Sequence, residues 1–315
     1  MATKQTSHCY DKTRIVLYEN DADVRQTIKS TLIRGTFSQT LATSSFKTAQ
    51  SAIFNNEADM FVVDIDNEKD DLCTLMRKIR HHQIGDNPFP VSVALSNHSD
   101  FKHIRKAVNS GFDVLLLKPF SMTTFMARVH HLMYHRSPFS VNADYIGPDR
   151  RTKERNKAKQ GSDKLITVPN PLAIMGSGKV SVALMNQSIQ EAISQLNEQR
   201  VKANGEKASE IIEEMASRYM LNELDHIFVQ NLEKLNFIGK DMNQRLKRSK
   251  FGHVAELSDT LSTVVSKVLR DPMNPASKDI ELLQNLGKAI DRAFQANEGE
   301  IGVAQSISET VRAVA

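Results

Sequence analysis

Met60-Phe61-Val62-Val63-Asp64 is a short apolar run closed by a carboxylate. A run of this kind, rich in β-branched and aromatic residues, is how a strand buried on both faces of a parallel sheet reads. In a doubly wound sheet, ligands bind in the crevice at the carboxyl ends of the strands, which is where Asp64 falls. Two other runs end in polar residues of the same sort. Ile15-Val16-Leu17-Tyr18 leads into Glu19-Asn20-Asp21, and Val114-Leu115-Leu116-Leu117 leads into Lys118-Pro119.

Outward from these runs, residues 14–134 alternate short apolar stretches with amphipathic ones, the pattern of βα units around a parallel sheet. The spacing predicts strands over 14–18, 36–42, 60–63, 90–95 and 114–117, and helices over 22–33, 46–55, 72–81, 101–110 and 122–134. Asp23, Ser45 and Ser121 stand near helix starts as capping residues, and Gly111 follows the fourth helix where a left-handed C-cap is expected.

The chain has 315 residues, enough for two domains that each bury a core. No apolar stretch approaches the roughly 20 residues of a membrane-spanning helix, and the start lacks the apolar segment of a secretory signal. With only Cys9 and Cys73 there is no disulfide framework, so a cytoplasmic protein is expected. The net charge of +4 is concentrated in 145–160, where 6 Lys and Arg face 2 Asp and Glu; residues 161–315 carry 18 against 20. A slightly acidic C-terminal region argues against duplex binding, which needs clustered positive charge.

From 137 to 178 the periodicity fails among Pro138, Gly147, Pro148, Pro169, Pro171, Gly176 and Gly178, and the stretch reads as a flexible basic linker. Beyond it, apolar stripes of helical period run through Val182 to Leu196, Ile211 to Leu235, Phe251 to Val268 and Leu283 to Phe294. Gly205, Gly239, Pro272 and Pro275 are read as the joins. The resulting organisation is a tail over 1–13, a domain over 14–136, a linker over 137–178 and an all-helical bundle over 179–315, with a homodimer among the expectations.

Glu19 with Asn20, Asp64, Ser96 and Lys118-Pro119, in that order and spacing, resemble the site residues of the receiver domain of bacterial response regulators. Arg77-Lys78-Ile79-Arg80 and Ala107-Val108-Asn109-Ser110-Gly111-Phe112-Asp113 extend the resemblance, which covers about two fifths of the chain. It implies a flavodoxin-like, five-stranded, doubly wound α/β fold. It also implies that Asp64 accepts a phosphoryl group from a histidine kinase or phosphotransfer protein. Mg²⁺ would be held by Glu19, Asn20, Asp64 and the backbone carbonyl of Asp66, while Lys118 and Ser96 would contact the phosphoryl oxygens.

Four positions depart from that pattern. Asn20 replaces the second acid and brings no charge, which lowers the expected Mg²⁺ affinity; Glu68 and Leu72 replace a Pro and a Gly; Leu115 stands where many receivers place a rotating aromatic ring. Asp66, Asp70 and Asp71 add negative charge nearby.

Other features point to plainer roles. Met175-Gly176-Ser177-Gly178-Lys179-Val180 lacks the first Gly and the Ser or Thr of a phosphate loop. His130, His131 and His135 near the end of a helix, and His226 and His253 on later helices, read as ordinary helical histidines. Arg245, Lys247, Arg248 and Lys250 read as a solvated helix end, and Arg150-Arg151 as a solvated tether. The sequence therefore predicts a response regulator whose helical output domain works on a downstream protein partner and carries no separate catalytic constellation. A DNA-binding regulator, a helical phosphatase and a phosphate-independent scaffold stand as the alternatives.

Overall fold

The structure is a computed structural model that describes residues 10–67, 71–151, 165–176, 182–246, 249 and 251–295. The chain divides into two compact units, Met1–Ile193 and Ser194–Ala315.

In the first unit, β1 (Ile15–Tyr18), β2 (Thr40–Thr43), β3 (Met60–Asp64), β4 (Val91–Ser96) and β5 (Val114–Leu117) form a parallel sheet in the order β2-β1-β3-β4-β5. That is the flavodoxin-like order, with its switch point between β1 and β3. The helices α1 (Ala22–Arg34), α2 (Phe46–Phe54), α3 (Leu72–Arg80), α4 (Phe101–Asn109) and α5 (Met122–Tyr134) connect the strands. Alternate strand residues feed two cores. Leu17, Val62 and Val93 pack with Phe125 and Val129 of α5, and Val16, Phe61 and Ala94 pack with Ala49 of α2 and Met76 of α3. The period-2 alternation of side chains is what splits one strand between two layers. This is the receiver fold, and a helical C-terminal region follows it.

Local chemistry explains the helix starts. Asp21 caps α1 by accepting from Asp23 N and Val24 N at 2.9 Å each, so the cap is Asp21 and Asp23 lies within the first turn. Asp71 caps α3 and Asp100 caps α4 in the same way. The second strand begins at Thr40, four residues later than its apolar pattern suggests. Thr36 takes φ 71°, and Phe37 leaves the strand direction to stack on Tyr10 at 5.0 Å in the core. Tyr10 and Thr13 are buried, so the last residues of the expected tail belong to this unit, while 1–9 lie outside the described residues.

The expected flexible linker is corrected most. Within 137–178, β6 (Phe139–Val141) and β7 (Ile146–Pro148) form an antiparallel hairpin, Phe139 pairs with Ile166, and α6 (Pro171–Gly176) is helical. Residues 152–164 lie outside the described residues. Four arrangements dock the described part. Phe139 is buried beneath the guanidiniums of Arg80 and Arg136, whose Cζ atoms lie 4.9 and 5.2 Å from its ring centroid. Asn170 Nδ2 donates to the Leu132 and Met133 carbonyls at 2.8 and 3.0 Å, satisfying the orphan end of α5. Gly147 passes so close to Gly111 that a Cβ on it would lie 2.8 Å from the Gly111 Cα. Gly111 itself has φ +85°, the left-handed conformation that glycine adopts without a Cβ clash. Arg150 donates to the Phe112 carbonyl and is tied to the fold through that bond. The chain pairs with distant residues here, which a search for local periodicity does not detect.

In the second unit, α7 (Val182–Met220, which begins in the first), α8 (His226–Leu246), α9 (Ala255–Val268) and α10 (Ser277–Gln295) supply a core that includes Ile212, Met215, Phe228, Leu235, Leu261, Leu286 and Ile290. Two expected joins are instead helix interiors. At Gly205 a Cβ would meet the Phe294 ring at 2.3 Å, and at Gly239 the Ser262 Oγ at 2.4 Å, so both glycines serve close helix packing. The break falls at Asn222, with φ 58°, after which Asp225 caps α8 by accepting from Ile227 N and Phe228 N. Pro272 and Pro275 do lie between α9 and α10.

Arg245 is also corrected. It is buried, and its Nε donates to Asp241 Oδ1 at 2.9 Å while Arg200 Nε donates to Asp241 Oδ2 at 2.9 Å. Lys247, Arg248 and Lys250 lie outside the described residues.

Candidate functional site at the carboxyl rim of the sheet

Parallel register carries the ends of β1, β3, β4 and β5 to one rim. Tyr18 pairs with Val63, Asp64 with Leu95, and Ser96 with Leu117. Glu19, Asp64, Ser96 and Lys118 all therefore emerge at the same edge, because each ends or follows its strand.

Lys118 is the hub. Its Nζ donates to Glu19 Oε2 at 2.8 Å and lies 3.2 Å from Asp64 Oδ2. Glu19 is fully buried and Asp64 is 7% exposed, which leaves Asp64 a narrow opening to solvent. Burial pushes the Glu19 carboxyl above the usual glutamate range; the neighbouring Asp64 adds to the rise, and the Lys118 ammonium opposes it. Burial also works against the Lys118 ammonium, but the two carboxylates outweigh it and hold its pKa above the ordinary lysine value. The Lys118–Pro119 peptide is cis.

Asn20 is exposed on the loop after β1, and its backbone carbonyl accepts from Arg25 at 3.1 Å. Arg25 also donates to the Glu19 carbonyl at 2.7 Å, so this arginine holds the acidic loop. Its position one helical turn beyond the Asp21 cap was the available signal for that role.

Ser96 is engaged elsewhere than at Asp64. Its Oγ donates to Asp66 Oδ1 at 2.5 Å, and Asp66 Oδ2 accepts from Asn97 N at 2.5 Å and from Asn97 Nδ2 at 3.0 Å. Asp66 N in turn donates to Asp64 Oδ1 at 3.2 Å. The Asp66 side chain thus clasps the loop after β3 to the loop after β4, a role that sequence reading, which took its backbone carbonyl as a ligand and its side chain only as added negative charge, did not find. Glu68 and Asp70 lie outside the described residues, and Leu115 is half-buried on β5 against the core.

The donor set at the rim fits a hard cation. It consists of oxygen donors: the Glu19 and Asp64 carboxylates share one Lys118 ammonium, the Asp66 carboxylate is taken up by Ser96 and Asn97, and the repulsion between Glu19 and Asp64 is of the kind a divalent ion relieves.

No family model and no curated protein matches this chain. Solved structures that match it include an orphan response regulator of H. pylori, with 19% identity and a TM-score of 0.32 over 38% of this chain and 93% of that one. A response regulator in red light signaling of R. palustris matches with 16% identity and a TM-score of 0.33 over 40% of this chain and 96% of that one. Among the described residues, no helix is long and apolar enough to cross a membrane.

Proposed function

We propose that this protein is a cytoplasmic response regulator of a phosphorelay, in which Asp64 accepts a phosphoryl group from a histidine kinase or phosphotransfer protein and residues 179–315 act on a downstream protein partner. The observation that supports this reading is Lys118 Nζ seated between Glu19 and Asp64, 2.8 and 3.2 Å away, at the carboxyl rim. An Asp64 oxygen would attack the phosphorus as the bond to the donor imidazole nitrogen breaks, and that nitrogen takes up a proton. The protein's part in such a transfer is positioning and charge neutralisation.

Lys118 would turn from Glu19 toward the phosphoryl oxygens. Ser96 would leave Asp66 to donate to one of them, and this exchange of partners would shift the loop between β4 and α4. Mg²⁺ bound by Glu19, the Asn20 amide, Asp64 and the Asp66 carbonyl would neutralise phosphoryl charge. Incubation with a small phosphodonor, with and without Mg²⁺, followed by intact-mass measurement tests the proposal. Wild type should gain one phosphoryl group in Mg²⁺ and Asp64→Asn none; equal labelling of the two proteins rules it out.

A further inference from the structure

We infer that His98, Asp100 and His103, on the loop between β4 and α4, form a binding site for a transition-metal dication of the Zn²⁺ type. One donor atom from each of the three residues lies within 4.8 Å of the others. The His98 and His103 rings are 4.4 Å apart, and Asp100 Oδ2 lies 2.6 Å from His103 Nδ1.

Local structure brings them together. Asp100 is the N-cap of α4, and His103 follows three residues later on the same face of the first turn. The two oxygens of Asp100 divide their work. Oδ1 accepts from Lys102 N at 3.1 Å and His103 N at 3.2 Å, which leaves Oδ2 directed at the imidazoles.

Two imidazoles and one carboxylate make the three-ligand, open-position set that suits Zn²⁺ and its neighbours, whereas Mg²⁺ and Ca²⁺ select oxygen. This separates the cluster from the all-oxygen rim around Asp64, and the inference does not depend on phosphoryl transfer. Ligands about 2.0 Å from a tetrahedral ion stand about 3.3 Å apart, so the 2.6 Å Asp100–His103 hydrogen bond must open and release its shared proton for both atoms to bind one ion. The rings, now 18° from parallel, must also turn until their lone pairs converge. All three side chains are exposed, so these rotations meet little packing. The positive end of α4 opposes a cation there, and the Asp100 carboxylate offsets it.

The test is Zn²⁺ titration of the full-length, untagged protein against a chromophoric chelator in excess Mg²⁺. Wild type should bind one more equivalent than the His98→Ala/His103→Ala double variant. Asp64→Asn and His131→Ala should retain that equivalent. His103→Ala alone should weaken it at least about 10- to 100-fold, the loss that even an outer-shell partner causes. An unchanged thermal melt shows that the variants are folded. Equal stoichiometry and affinity in wild type and the double variant overturn the inference, as does loss of the equivalent in Asp64→Asn.

Discussion

The Ser96 hydroxyl donates to the Asp66 carboxylate at 2.5 Å, and so the residue that closes β4 is held by a side chain two positions beyond Asp64. Any phosphoryl group on Asp64 must compete with Asp66 for this donor. In the proposed transfer, Asp66 would also place a negative charge beside the incoming phosphoryl group. Asp66→Ala should raise the rate of labelling by a small phosphodonor about fivefold, the equivalent of about 1 kcal/mol for one hydrogen bond. Time courses of intact mass measure this, and a slower Asp66→Ala would show that the clasp assists transfer.

In the proposed Mg²⁺ site Asn20 would supply an uncharged oxygen where a carboxylate would attract the cation more strongly. Asn20→Asp should tighten Mg²⁺ binding at least about tenfold, a small part of the attraction of one added charge at an effective dielectric of about 20. Mg²⁺ titration of the phosphorylation rate or of isothermal heat reads the shift.

Asp113 joins two buried guanidiniums at the amino ends of β4 and β5, the rim opposite Asp64. It lies 2.9 Å from Arg80 Nη2 and 2.9 Å from Arg136 Nε, and Ser92 N donates to it at 2.8 Å. Arg80 also donates to the Gly111, Pro88 and Pro90 carbonyls, and burial pulls its pKa down to about 10. Asp113→Ala leaves two buried positive charges without their counterion. It should cost about 3–5 kcal/mol in urea unfolding, as breaking a buried pair from one side does.

The pH dependence of stability follows from the same residue and from Asp241. Burial opposes ionisation of each, but the flanking arginines outweigh it and hold both carboxyls below the ordinary aspartate range. A depressed folded pKa means that the stabilisation is present above the unfolded value of about 3.9 and is lost as pH falls through the folded values. Unfolding midpoints should therefore fall steeply below about pH 4. The fall should be shallower in a variant carrying Asp113→Asn.

Gly147 lets the hairpin of β6 and β7 lie against Gly111. In Gly147→Ala the new Cβ would meet the Tyr145 hydroxyl at 2.5 Å and the Gly111 Cα at 2.8 Å. The hairpin should lose hydrogen-exchange protection over 139–148, at a cost of about 1–3 kcal/mol for overpacking. Unchanged protection would mean that the contact yields without loss.

The strands around Asp64, the polar residues at their ends and the change to helical period near 182 were legible because burial on both faces of a parallel sheet, and on one face of a helix, writes a local period into the chain. Proximity of Glu19, Asp64 and Lys118 then follows from parallel register alone. Gly205 and Gly239 misled because glycine marks close approach as well as turns, and sequence does not separate the two. The residues after 137 misled because aromatic and apolar residues interleaved with Pro and Gly have no period, although Phe139 and Ile146 are fully committed to burial.

Sequence by itself determined a five-stranded receiver sheet with a carboxylate, a lysine and a hydroxyl at one rim, and a helical region after it, since each of these depends on neighbours within a few positions. Tertiary structure alone decided that Ser96 answers to Asp66 across 30 positions, that Asp113 binds Arg80 across 33, and that Arg245 reaches Asn197 across 48. Such pairs form because a buried donor or charge must find its complement wherever the fold brings one, and chain distance carries no record of that.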